Sequence, residues 1–221
     1  MDVSTKNIVM TTKKKSPYSF KVISDTIKNG LFLQGVRHGV AKIGFDIMPY
    51  YWVKEEVTST DEPQLRTDQS FIFKELNLVD LSDVITETDS ITEKKIRQSF
   101  ADGHECVGLT HKNQIAAYMF IELHDFEIKN RKFKLNTNEA YLLNMFTMTN
   151  FRGKNLAPYL RYACYRHLEK RHITTKYSVS NYFNKSAIKF KKKLNSKPQK
   201  LYVNIELFKS IQWNLVLKSY S

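Results

Sequence analysis

Glu139-Ala-Tyr-Leu-Leu-Asn-Met-Phe-Thr-Met-Thr-Asn-Phe-Arg-Gly-Lys-Asn-Leu-Ala157, followed by Pro158, is the stretch on which the reading of this chain turns. Ala140 to Met148 is an apolar run of strand character. A short polar loop with Arg152 and Gly153 follows. Leu156, Leu160, Ala163, Cys164, His167 and Leu168 then recur at helical spacing, which predicts a helix with one face on a core. Pro158 falls in its first turn, where a missing N–H costs little. A strand, a basic glycine-bearing loop and a helix N-terminus in this order make an anion site, because backbone N–H groups and the positive end of the helix dipole converge there. A phosphate or pyrophosphate is the expected ligand. On this segment alone an ordinary solvated turn stands beside that reading. No Walker lysine follows a second glycine, and G-x-G-x-x-G is absent.

Outward from this segment the chain divides into short elements. Residues 18–38 carry apolar positions at Phe20, Val22, Ile23, Ile27, Leu31 and Val36, which predicts an amphipathic helix interrupted near Gly30. Residues 44–54 read as an aromatic extended segment broken at Pro49. Thr58 to Ser70, with Pro63, reads as a linker. A strand is predicted over Phe71–Leu76 and a helix over Asp80–Phe100, capped by Asp80 or Ser82. Glu105–Thr110 and Gln114–Leu123 form a hairpin around His111-Lys-Asn113. After the strand at 140–148 and the helix at 156–170 come a strand at 174–179, a helix from Asn184, and strands at 201–208 and 211–218.

Composition sets bounds. A chain of 221 residues with 42% hydrophobic and 13% aromatic residues is globular and long enough for a real core. Cys106 and Cys164 fit neither a disulfide framework nor zinc spacing, so both read as buried thiols, and no metal site is expected. No apolar run reaches membrane-spanning length, and the lysine-bearing N-terminus lacks the apolar stretch of a signal peptide, so a cytoplasmic location is expected. The net charge of +13 is densest at Lys13–Lys15 and over 185–200. It suits attraction of anionic ligands, or simply solubility. No nucleic-acid signature accompanies it, so nucleic acid is not an expected partner.

Phe151-Arg-Gly-Lys-Asn-Leu-Ala157 resembles motif A of the GNAT superfamily of N-acetyltransferases, R/Q-x-x-G-x-G/A after a strand. Arg152 takes the first position and Ala157 the last; Asn155 replaces the usual Gly, and Asn tolerates a left-handed backbone. Asn184-Lys-Ser-Ala-Ile188 resembles motif B, whose Asn contacts the pantetheine arm. Two departures stand there. Many members carry, seven residues after that Asn, a Tyr that protonates the departing thiolate, where this chain has Lys191; the usual G-F pair is Asn195-Ser196. The element order from residue 70 is that of the superfamily if its first two helices are merged within 80–100. The resemblance covers about residues 70–219. It looks nearest to bacterial members associated with cell-surface polysaccharide assembly, through Gly103-His104-Glu-Cys106, Phe146-Thr147 and the aromatic basic N-terminal region.

The resemblance implies an α/β (α+β) fold: a mixed, mostly antiparallel central sheet flanked by helices, with residues 1–69 as an arm and linker and 70–221 as the transferase domain. It implies an enzyme that takes acetyl-CoA as co-substrate and transfers the acetyl group by direct attack of a small amine, an amino sugar or nucleotide-linked amino sugar being the candidate acceptor. Cofactor contacts would come from Met145, Phe146 and Thr147, with the pyrophosphate over Arg152, Gly153, Lys154, Asn155, Leu156 and Ala157 and the pantetheine also at Asn184. Candidates for the base are Glu139, Tyr141, Glu122 and His104. Lys191, on a lysine-rich helix expected to be solvated, is set aside as the acid in favour of Tyr182, Tyr177 or water. Cys164, on the helical core stripe, is rejected as a nucleophile. The aromatic segment Phe45–Trp52 either packs the arm onto the domain or walls the acceptor pocket. A homodimer stays open. Two other classes remain: a non-catalytic acyl-CoA binder, and a basic module docking on nucleic acid or a membrane surface.

Overall fold

The computed structural model describes residues 37, 41, 44–55, 61–208 and 210–220. In chain order the elements are β1 (Phe45–Glu55), β2 (Ile72–Leu76), α1 (Ser82–Glu87), α2 (Ser90–Ala101), β3 (Glu105–His111), β4 (Gln114–Glu122), β5 (Phe126–Ile128), β6 (Arg131–Phe133), β7 (Glu139–Thr147), a 3-10 turn (Thr149–Phe151), α3 (Leu156–Lys170), β8 (Thr175–Asn181), α4 (Lys185–Lys193), β9 (Lys197–Leu207) and β10 (Ile211–Ser219). Eight strands form one sheet in the order β10-β9-β1-β8-β7-β4-β3-β2, and β5 and β6 form a separate hairpin. Every neighbouring pair in the large sheet is antiparallel except β7–β8, which is parallel.

The alternation of side chains along β4 builds a layer on each face. Ala117, Met119 and Ile121 join Leu156, Leu160, Cys164, Tyr165 and Leu168 of α3 in one buried cluster. Tyr118 and Phe120 turn the other way, onto Leu81, Val84, Ile85 and Ile96 of the α1–α2 layer. Of the helical stripe read from the sequence, Leu156, Leu160, Cys164 and Leu168 are buried, whereas Ala163 and His167 are half-buried and Arg161 and Tyr165 add to the buried face of α3. Burying one such side chain contributes roughly 1.5–3 kcal/mol, so each layer rests on many moderate terms.

Expectations about local structure are corrected at two places, Pro49 and the 80–100 segment. Pro49 does not break its segment: β1 runs through it, with Pro49 opposite Val203 of β9. Pairing to β8 begins only at Tyr50, so residues 45–49 have a strand on one side only, where a missing N–H is tolerated. β1 therefore lies inside the sheet, on the N-terminal side of the expected boundary at residues 69–70. The helix expected over 80–100 is two helices, because Asp89 ends the first stretch and caps the second, its Oδ1 accepting from the N–H groups of Ile91 and Thr92 at 2.9 Å. Asp80 instead closes a turn, accepting from Asn77 N at 2.8 Å. The β5–β6 hairpin was not anticipated. The helix expected over 18–38 lies, but for residue 37, outside the described residues.

Trp52 of β1 stacks on Phe133 at 4.4 Å and on Tyr177 at 4.9 Å between ring centroids, and Phe126 stacks on Tyr141 at 4.2 Å. The aromatic segment thereby fastens the hairpin to the sheet. Residues 61–70, read as linker, have no regular structure but are tied to the loop before α3: Arg66 N donates to Lys154 O at 3.1 Å, and Asn155 Nδ2 donates to Gln64 O at 2.7 Å. Among the described residues no helix is long and apolar enough to cross a membrane, and no group of three or more His, Cys, Asp or Glu could hold a metal ion.

Candidate active site

The parallel pairing of β7 with β8 covers only Glu139–Leu142 against Thr175–Ser178. β7 continues to Thr147 along β4, and β8 continues to Asn181 along β1. The two strands part beyond Leu142 and Ser178, so among the described residues the β8-facing edge of Leu143–Thr147 has no strand beside it. A bulge helps to steer β7 away. Between Phe120↔Leu143 and Tyr118↔Phe146 the register slips by one residue, and Asn144 takes up the slack at φ +48°, with its Nδ2 donating to Ser99 Oγ at 3.2 Å. Asn is suited to that backbone region.

The fork opens onto a cleft of about 970 Å³, whose lining, grouped by the elements that supply it, falls into two chemically different halves. One half is lined by Met145, Thr147, Ala157, Arg161, Val179, Asn184 and Lys191, from β7, α3, β8 and α4. The other is lined by Asp102, His104, Glu122, Asp125 and Glu127, with Phe126 and Tyr141. In a chain of net charge +13 this second half is conspicuously acidic. Glu122 is buried near the end of β4; its Oε2 lies 2.9 Å from His104 Nε2, and its Oε1 accepts from His124 N at 2.6 Å. Burial pushes the Tyr141 pKa up, with Arg161 opposing, so the phenol stays protonated near neutral pH.

Of the residues expected in the site, the cleft brings together His104, Glu122, Tyr141, Met145, Thr147, Ala157 and Asn184. Glu139 is elsewhere: it accepts from Tyr177 OH at 3.1 Å and from Asn136 N at 2.9 Å. Phe146 alternates to the opposite face, and with Arg152 it lines a neighbouring cleft of about 660 Å³ against α1 and α2. Arg152 Nε donates to Thr147 O at 3.3 Å, and its guanidinium lies 5.7 Å from the Phe146 ring. Gly153, at φ +82°, makes the turn; Lys154 Nζ donates to Gln69 Oε1 at 2.5 Å; Leu156 is in the core. Asn155 takes the left-handed conformation at φ +65°, as its residue type allows, and precedes α3 without giving it a side-chain cap. Asn184 caps α4, its Oδ1 accepting from Ala187 N at 3.1 Å. That leaves its Nδ2 as the group able to meet a ligand.

The acid candidates fare differently. Tyr177 is bound to Glu139 and Tyr182 is largely exposed, and neither lines the cleft. Lys191, expected to be solvated, is 4% exposed and lines it. The lysines beside it, Lys189, Lys192 and Lys193, are the exposed ones. Lys191 shares the helix face of Ala187 and Leu194, and that spacing of four and three was the available signal. Nothing in the sequence joined it to Glu55 of β1 or to Arg161 of α3, which are buried with it. Cys164 is fully buried, and desolvation pushes its thiol up to about 12, which fits its rejection as a nucleophile.

No family model and no curated protein matches the sequence. Solved structures do match the fold. An acetyltransferase of the GNAT family from Colwellia psychrerythraea is 13% identical, with 85% of this chain and 74% of that one covered and a TM-score of 0.55. The glucosamine N-acetyltransferase region of a fungal multi-domain GH3 β-N-acetylglucosaminidase is 10% identical, with 79% and 23% covered and a TM-score of 0.54. A conserved protein of unknown function from Staphylococcus epidermidis is 10% identical, with 77% and 65% covered and a TM-score of 0.53. The chain spans 58% to 66% of the length of three of the structures it matches. Identities this low speak for architecture alone: with its large, mostly antiparallel sheet flanked by helices, this chain has the fold of the GNAT acetyltransferases that it matches.

Proposed function

We propose that the chain is an acetyl-CoA-dependent N-acetyltransferase acting on the amine of a small acceptor. The observation that carries this reading is the parting of β7 from β8 over a cleft whose halves differ in chemistry. An unpaired strand edge suits the amides of an extended pantetheine arm, which would lie along Met145–Thr147 with Asn184 Nδ2 across from it. The uncapped start of α3, over Arg152–Ala157, would hold the pyrophosphate through backbone N–H groups and the helix dipole. Arg152 would add its charge by swinging from Thr147 O. When bound, acetyl-CoA supplies the thioester, and a backbone N–H of Met145–Thr147 donating to its carbonyl would contribute roughly 10²–10³ in rate.

The carboxylate-lined half would receive the amine. Glu122 is the base in this reading, taking the amine proton directly or through water, with His104 and His124 N holding its oxygens in place. Tyr141, kept protonated, would donate rather than accept. Phe126 and Tyr141, stacked on each other, form an aromatic wall on that side of the cleft. Four carboxylates, Asp102, Glu122, Asp125 and Glu127, favour a cationic or neutral amino sugar over a nucleotide-linked one.

The test is a calorimetric titration with acetyl-CoA, followed by thiol release with a panel of amines that includes glucosamine and a nucleotide-linked amino sugar. Binding with turnover of at least one amine is expected. Binding without turnover of any would favour a non-catalytic acyl-CoA binder, and absence of binding would end the reading.

A further inference from the structure

At the closed end of the fork lies a buried charge cluster drawn from four elements. Glu55, the last residue of β1, is 1% exposed. Its carboxylate accepts from Tyr165 OH of α3 and Ser178 Oγ of β8. Arg161 Nε of α3 stands 3.5 Å from it, and Lys191 Nζ of α4 stands 3.6 Å from it. Among the described residues, one buried carboxylate thus answers two buried cations. The other groups that face the cluster do not restore the balance. Tyr165 from α3 and Tyr141 from β7 are held protonated by burial, as is Cys164. Lys176 of β8 is answered by Glu169 at 3.3 Å, and Lys189, Lys192 and Lys193 of α4 point to solvent.

A surplus charge in a desolvated setting is costly, and only one member can shed it. A guanidinium does not deprotonate in a protein, whereas an ammonium does. Burial, assisted by Arg161 and opposed by Glu55, brings the Lys191 pKa down to about 8. Burial works against the Glu55 carboxylate, but Arg161, Lys191, Ser178 and Tyr165 outweigh it and hold its pKa below the usual range. Lys191 Nζ donates to Ser178 Oγ at 2.6 Å and to Val179 O at 3.0 Å, which uses two of its three N–H groups. Lys191 and Arg161 both line the cleft, and Nε and Nη1 of Arg161 are buried without hydrogen-bond partners among the described residues. Ser178 is the last β8 residue paired with β7, so the ammonium sits where the fork closes.

We infer that Glu55, Arg161 and Lys191 form a proton-donating cluster for the cleft, with Lys191 as the donor and Glu55 and Arg161 as positioning residues that tune it. The inference rests on the acyl-transfer reading above. In the step, the amine lone pair forms the C–N bond and the C–S bond breaks with its electron pair on sulfur. Lys191 Nζ gives that sulfur a proton. Glu122 takes the surplus proton of the amine, and Glu122 and Lys191 then exchange with solvent, so amine and thioester become amide and thiol.

The experiment needs no acceptor. Coenzyme A in its thiol form is bound to the full chain, binding is measured by calorimetry, and thiolate formation is followed by ultraviolet absorbance against pH. An ammonium beside the sulfur favours the thiolate, so the bound thiol should ionise about one pH unit or more below free coenzyme A, a tenfold effect. Lys191→Met should abolish that shift while coenzyme A still binds; where that variant does not fold, Lys191→Gln gives the same readout. In ¹³C-lysine NMR, Glu55→Gln should move the Lys191 titration down and Arg161→Met should move it up. A bound thiol that ionises alike in parent and Lys191 variant overturns the inference and leaves acyl-CoA binding standing. A parent that binds no coenzyme A overturns the acyl-transfer reading, and the inference with it.

Discussion

Two cationic regions meet on helix α3, and they handle charge in opposite ways. At its start, Arg152 is exposed, and Lys154 is half-buried with its ammonium on Gln69 Oε1 at 2.5 Å. Further along the helix, Arg161 is 3% exposed and shares a carboxylate with a lysine that is 4% exposed. Water and salt screen the first region, so its charges matter little to the fold and, in the proposed reading, are free to act on an arriving anion. The second region is buried and meets solvent only through the cleft that Arg161 and Lys191 line, so each charge there is a condition of folding and each pKa is a property of the group. The same residue types thus stand in solvent in one place, where we propose that they meet an anion, and are structural and titrating elements in the other.

The comparison breaks most visibly at Glu55. Glu55→Ala leaves Arg161 and Lys191 buried without a counter-charge and should destabilise the protein by about 3–5 kcal/mol, measured by urea unfolding at neutral pH. A loss under about 1 kcal/mol, the size of a surface pair, would show that the cluster is solvated after all.

Next in size is the pH dependence of stability set by Lys191. Its folded pKa of about 8 lies below the ordinary 10.5, so between those values the unfolded chain binds more protons than the folded one, and stability rises with pH. Below about 8 both states are protonated and the penalty is fully present; above 10.5 neither is. Across that window the difference in unfolding free energy between parent and Lys191→Met should therefore change by about 1.4 kcal/mol for every pH step of one. A flat difference would place the lysine in water.

Arg152→Glu tests the other region. Charge reversal at an exposed anion site should weaken acetyl-CoA binding about tenfold at low salt, less at high salt, and leave the unfolding midpoint almost unchanged. Unaltered affinity would move the pyrophosphate off this loop. The smallest effect is expected at Asn155, whose left-handed backbone glycine adopts without strain. Asn155→Gly loses one hydrogen bond to Gln64 O and should cost no more than about 1 kcal/mol, with acetyl-CoA affinity within about twofold. Asn155→Val, a β-branched residue at φ +65°, should cost clearly more in stability.

What the sequence by itself determined here is local. The stripe Leu156, Leu160, Cys164 and Leu168 announced α3 and its buried face, because helical period and apolar content are written in consecutive residues. The hairpin of β3 and β4 was legible through its polar tip, where Lys112 and Asn113 both take positive φ. Asn155 was legible as a left-handed position, since that preference belongs to the residue type. Seven of the residues named as candidates, His104, Glu122, Tyr141, Met145, Thr147, Ala157 and Asn184, line one cleft, but they come from separate strands and helices, and it is the fold that brings them together. Tertiary structure alone decided the rest. Pro49 read as a break because nothing local says that one side of β1 is unpaired there. Lys191 read as solvated because its helix is rich in lysine, and only packing against β1, β8 and α3 turns that single lysine inward. Glu55 and Lys191 are 136 positions apart in the chain, and their pKa values come from Coulomb interactions and desolvation that exist only once β1 is threaded between β8 and β9.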